Sequence, residues 1–124
     1  MSDKEFEKLK ATVQGYFLKW RTLLGLCQWD IIVYYEREAS PDDGTRSTGA
    51  INTSSYPYKQ AEITFYLPVL KEWGKARTEK AVIHELTHLL VAEMRDCDKD
   101  LNHEERVVTD LTNAFKWTYE RRQT

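Results

Sequence analysis

Ala81-Val82-Ile83-His84-Glu85-Leu86-Thr87-His88-Leu89-Leu90 is the stretch on which the reading of this chain turns. It holds two histidines four residues apart inside an apolar run. On an α-helix, residues at that spacing stand one turn apart on a single face. His84 and His88 can therefore approach one metal ion from the same side. Glu85, beside them, can aim at a water on that metal. The pattern H-E-x-x-H carries a chemical logic in which two imidazoles hold zinc and the carboxylate acts as general base. The competing reading is a polar patch on an ordinary helix, so the surrounding sequence has to carry part of the weight.

Around this segment the helix is expected to begin at about Thr78, a fair N-cap, and to end near Arg95. Val82, Ile83, Leu86, Leu89, Leu90 and Met94 supply its packing face. A polar connection, residues 96–102, leads to a final helix with Val107, Val108, Leu111, Ala114, Phe115 and Thr118 on one side. Upstream, residues 61–67 alternate, with Ala61, Ile63, Phe65 and Leu67 on one face and Glu62, Thr64 and Tyr66 on the other. That is the period of a half-buried strand, which Pro68 ends. Residues 48–53 predict a short strand, and the β-branched and aromatic run 29–36 another. Residues 39–45 and 52–58 are dense in turn residues and read as loops. Phe6, Leu9, Val13, Phe17, Trp20 and Leu24 recur at helical spacing over residues 3–24, with Gly25 as a stop. The core, rather than a cofactor, accounts for that aromatic stripe.

The order helix, three strands, helix, helix predicts an α+β fold with a small three-stranded mixed or antiparallel sheet. A chain of 124 residues suits one domain, residues 1–124. The formal net charge of −2 gives no electrostatic reason to expect nucleic acid or an anionic membrane as partner. No apolar run approaches the ~20 residues that span a bilayer. The N-terminus is charged and lacks the apolar stretch of a signal peptide, so a cytoplasmic location is expected. Cys27 and Cys97 form no C-x-x-C pair, and neither a zinc knuckle nor a redox motif is present.

A catalytic zinc takes three protein ligands and leaves one position for water. The third ligand has to come from outside the motif, and His103, Glu104 and Glu105 at the start of the final helix are the candidates. At about 100° per residue, Glu104 falls inside the apolar stripe, with His103 and Glu105 flanking it on opposite sides. A buried Glu104 without a cation costs several kcal/mol, which argues for a metal or an arginine nearby. The bland alternative is that Glu104 and Glu105 are first-turn acids that complement the helix dipole.

With these residues in place, the chain resembles the compact zincin metallopeptidases of the gluzincin type, and within them small phage-encoded and ImmA/IrrE-like metallopeptidases. Two segments carry the resemblance: His84 to His88, and Glu104 to Leu111. It implies a minimal zincin-like fold, with a long first helix, a short sheet, an active-site helix and a glutamate helix. In such families an Asp or Asn follows the ligand glutamate by four residues. Counted from Glu105 that place holds Thr109, with Asp110 one beyond; counted from Glu104 it holds Val108. The resemblance therefore favours Glu105 as third ligand, then Glu104, then His103, since the related SprT-like group uses a third histidine. It also implies that the strand 61–67 lies near the active-site helix with an edge open to substrate. Asp110 could orient a histidine, and His103, Tyr56, Tyr58 and Tyr119 are candidates for stabilising an oxyanion.

The expected function is zinc-dependent hydrolysis of peptide bonds, with Zn2+ on His84, His88 and Glu105, Glu85 as general base, and a protein or peptide as substrate. A phage or prophage origin goes with the resemblance. The alternative is a non-catalytic zinc-containing regulatory or binding protein on the same fold. Intact Glu85 speaks for the enzyme, because a purely structural site has no use for a base.

Overall fold

The stripe over residues 3–24 folds as α1, Asp3–Leu23. Ser2 caps it, its Oγ accepting from the Glu5 amide at 3.1 Å. At the other end Gly25 takes φ 71°, the left-handed value that a side chain disfavours. The amides of Gly25 and Leu26 then donate back to the carbonyls of Thr22 and Arg21, a Schellman closure. Arg21 locks the exit by donating from its guanidinium to the Trp29 carbonyl at 2.8 Å. Val13, Phe17 and Trp20 are buried, as the stripe predicts. The computed structural model describes residues 1–38, 49–55, 58–96 and 100–122. The expected loop at 39–45, Thr48, Tyr56 and Cys97 lie outside those residues.

Three strands follow: β1, Asp30–Glu36; β2, Ala50–Ser55; and β3, Gln60–Tyr66. The order in the sheet is β1-β3-β2. β1 runs parallel to β3, and β2 runs antiparallel to it, so the sheet is mixed. Ala61, Ile63 and Phe65 of β3 are buried on the alternating pattern read from the sequence. Two expectations need correcting. The segment 52–58 is not one loop, because Asn52 to Ser55 belong to β2. And β3 is the central strand, with both edges paired, so it offers no edge to a substrate; the edge strand beside the helices is β2.

Pro68 does more than end a strand. It sits in the first turn of a short helix, α2, Leu67–Trp73, where its fixed φ and missing N–H are tolerated. Gly74, at φ 83°, breaks the chain direction and starts α3, Lys75–Leu90. The helix thus begins before Thr78. Thr78 is buried, and its hydroxyl donates to the Leu70 carbonyl at 3.1 Å, satisfying the open end of α2 instead of capping α3. α3 stops at Leu90, and a 3₁₀ turn, Ala92–Asp96, takes over. The tighter winding changes the register. Val91 and Ala92 are therefore buried, whereas Leu90 and Met94 are exposed, contrary to the expected packing face.

The last helix, α4, spans Leu101–Arg122. Val108 and Thr112 are its buried positions, with Phe115 and Tyr119 packed against the core; Ala114 and Thr118 are exposed. α3 touches α1, α2, α4 and β2, so the motif helix is the hub of the fold. Val82, Ile83, Leu86 and Leu89 are buried along it. Each such side chain contributes about 1.5–3 kcal/mol of burial. None of the described helices is long and apolar enough to cross a membrane.

Candidate metal centre

α3 turns its apolar face inward, which leaves His84, Glu85 and His88 along the seam where it meets β2 and α4. The Nε2 atoms of both histidines converge on one carboxylate. Glu105 Oε2 lies 3.2 Å from His84 Nε2, and Glu105 Oε1 lies 2.9 Å from His88 Nε2. Ligands at ~2.0–2.1 Å in a tetrahedral zinc site stand about 3.3 Å apart. The spacing of these donors is close to that. His84, His88 and Glu105 can thus offer one atom each to a single ion.

Glu104 and His103 go elsewhere. Glu104 turns inward and accepts a hydrogen bond from His88 Nδ1 at 2.6 Å. Both side chains are nearly buried, 10% and 11% exposed. A carboxylate at Nδ1 favours a proton there and turns Nε2 toward Glu105, the arrangement that orients a metal-binding histidine. Glu104 therefore stands behind His88 and outside the set of three converging donors. His103 sits beyond it, in a small recess with Val91, Met94 and Val107. Asp110 is exposed further along α4, and the orienting position expected for it is taken by Glu104.

The group opens into a cleft of about 710 Å³, lined by residues 50–54 of β2, the three motif residues of α3, and Leu101, Glu104 and Glu105 of α4. Asn52 ties the two walls together: its Nδ2 donates to the Glu85 carbonyl at 2.8 Å. The Asn52 Oδ1 is buried and lacks a partner among the described residues. Nothing in the strand-forming sequence Ala50-Ile51-Asn52-Thr53 marks this residue; its role is visible only once β2 lies beside α3. Neither Tyr58 nor Tyr119 lines the cleft. Tyr58 is exposed, and the Tyr119 ring packs edge-on against Trp20, 5.2 Å between centroids.

Burial pushes the Glu85 carboxyl up to about 7 in the ion-free protein. The His88 charge and a hydrogen bond from Asn52 oppose that rise, and Glu105 adds to it. A cation between the histidines would pull it back down. Burial also holds the His84 imidazole below its ordinary value; His88 and Lys80 reinforce this and Glu105 opposes it. A neutral imidazole is the form that binds metal. Thr87, between the histidines, is fully buried and donates to the Ile83 carbonyl at 2.7 Å, so its place is structural.

Two imidazoles and one carboxylate on one side of a water-accessible cleft, with a second carboxylate alongside, form a set that suits a three-ligand catalytic ion with an open fourth position. Compared with known proteins, the chain matches no family model, no curated protein and no solved structure.

Proposed function

We propose that the protein is a zinc-dependent peptidase built on a minimal zincin-like fold and working in the cytoplasm. The observation that carries this reading is the convergence of His84 Nε2, His88 Nε2 and the Glu105 carboxylate in a cleft that also holds Glu85. The donor set fits zinc: nitrogen and oxygen ligands, three in number, on one side. Bound there, zinc supplies an acidified water and polarises the carbonyl that the water attacks.

The chain's own groups do the rest. Glu85 takes the proton of the attacking water and returns it to the leaving amine. Glu104 keeps His88 in the tautomer that presents Nε2. Asn52 fixes β2 against α3, so the edge strand and the base keep one geometry. β2 is the sheet edge along the cleft, and an extended peptide can add to it as a further strand.

The test is metal content. The purified protein should hold about one zinc per chain. His84→Ala and Glu105→Ala should lose it, whereas His103→Ala should keep it. A protein that stays free of transition metal after incubation with excess zinc would rule the reading out.

A further inference from the structure

A second cavity, of about 410 Å³, meets the first at Ala50, His84 and Glu85. It runs along the first turns of α3, past Gly49, Trp73, Arg77 and Lys80. Arg77, Lys80 and His84 follow one another at spacings of three and four, so they share one face of the helix. The groove is basic in a chain whose net charge is −2. Its one acidic lining residue is Glu85. Neither Arg77 nor Lys80 forms an ion pair with a carboxylate among the described residues.

Arg77 is also held in place. Its Cζ lies 4.0 Å from the centre of the Trp73 ring. This cation–π contact restrains the guanidinium, whose forked N–H donors suit a planar anion. Trp73 is itself backed by the chain at Gly49, where a Cβ would lie only 2.6 Å from the ring. A glycine there lets the strand entrance approach the indole closely.

We propose that this groove is a subsite for a carboxylate of the substrate, on the C-terminal side of the bond to be cleaved. The inference rests on the peptidase reading and narrows its substrate class. The direction follows from β2, which begins at Ala50, beside the groove. A peptide added antiparallel to β2 runs its C-terminal part toward Ala50, and antiparallel pairing is the slightly more stable kind. At 1.5 Å per residue, Lys80 and Arg77 stand about 6 and about 10 Å from His84 along the helix. An extended peptide covers that span in two or three residues at ~3.3 Å each. The carboxylate is either an acidic side chain there or the substrate's own C-terminus.

The test uses zinc-loaded protein and three small ligands. Each carries a zinc-binding hydroxamate at its N-terminal end, so that the peptide extends on the C-terminal side of the metal. One continues as Ala-Glu-Ala-amide, one as Ala-Gln-Ala-amide and one as Ala-Gln-Ala with a free carboxylate. Calorimetry in low salt should show the Glu ligand or the free acid binding about 10-fold tighter than the neutral amide. Preference for the Glu ligand identifies a side-chain carboxylate; preference for the free acid identifies a chain end. The advantage should shrink in 0.5 M salt, as expected for exposed charges. It should vanish in the Arg77→Ala/Lys80→Ala double variant, with the neutral ligand bound as before. Equal affinity for all three ligands, or a preference that survives the double variant, overturns the subsite alone. Failure of all three to bind overturns the metal-site reading, and the subsite with it.

Discussion

His88 Nδ1 donates to the Glu104 carboxylate at 2.6 Å, across the contact between α3 and α4. This bond turns the ring so that its other nitrogen faces Glu105. It also gives a nearly buried carboxylate a hydrogen-bond donor. Glu104→Ala should leave the three ligand atoms in the chain yet weaken zinc binding by about 10–100-fold, the usual effect of removing such an orienting group. Glu104→Gln keeps an acceptor oxygen and should fall between the two. Competition with a chromophoric chelator measures both. Unchanged affinity in Glu104→Ala would mean that the ring is held by its packing alone.

That assignment shows what the sequence could and could not say. His84 and His88 are legible because their relation is local: four residues on one helix. The alternation at 61–67 and the stripe at 3–24 are legible for the same reason. Glu104 and Glu105 are neighbours about 100° apart, and which of them faces the histidines depends on how α4 crosses α3. No local pattern encodes that crossing. The helical wheel did place Glu104 in the apolar stripe, and it is nearly buried there. There it accepts from His88. β2 was only half visible, since Asn52-Thr53-Ser54-Ser55 reads as a turn; as an edge strand it needs little apolar character. Strand order is non-local too, so the central place of β3 could not be read. Pro68 is ambiguous because it suits both the end of one element and the start of another.

A second ionic cluster lies away from the cleft. Glu79 accepts from Trp20 Nε1 at 2.8 Å and from Lys19 at 2.6 Å, with Lys116 at 3.9 Å, so it joins α1, α3 and α4. Burial raises the Glu79 carboxyl, but Lys19, Trp20 and Lys116 outweigh it and hold the group below 4.5. A carboxyl depressed on folding adds stability above its unfolded pKa, and that stability is lost as the pH falls through the folded value. Glu79→Ala should therefore destabilise the protein by about 1–3 kcal/mol at pH 7, since it strands an indole N–H and a lysine. The gap between variant and wild type should narrow below pH 4.5. Denaturant titrations at pH 7 and pH 3 decide the matter, and a gap of equal size at both would show that the carboxylate's charge is irrelevant.

Thr112 offers the opposite case. It is buried on α4, and its hydroxyl finds no partner among the described residues. A buried polar group without a hydrogen bond costs free energy that an apolar replacement of the same shape restores. Thr112→Val should raise stability by about 1 kcal/mol and shift the thermal midpoint upward by several degrees. A fall in the midpoint would reveal a hydrogen bond to the Thr112 hydroxyl in solution.

Glu85 separates an enzyme from a scaffold. The carboxylate stands next to His84 in the cleft but is absent from the set of three converging donors. Glu85→Gln replaces it with a nearly isosteric amide, so fold and zinc content should both persist. An amide cannot accept the proton of the attacking water, and general-base assistance is typically worth ~10²–10⁴ in rate. His88→Ala should instead lose zinc, and with it some stability, because ion binding is linked to folding. The two variants should thus agree in inactivity and differ in metal content. The readout is digestion of a complex peptide mixture, followed by mass spectrometry, alongside elemental analysis of the same preparations. New cleavage products with wild type that disappear in Glu85→Gln assign the base. If Glu85→Gln cleaves as wild type does, another group takes the proton. If no preparation cleaves while zinc is bound through the same three residues, the ion serves the fold, and the protein acts as a zinc-containing regulator.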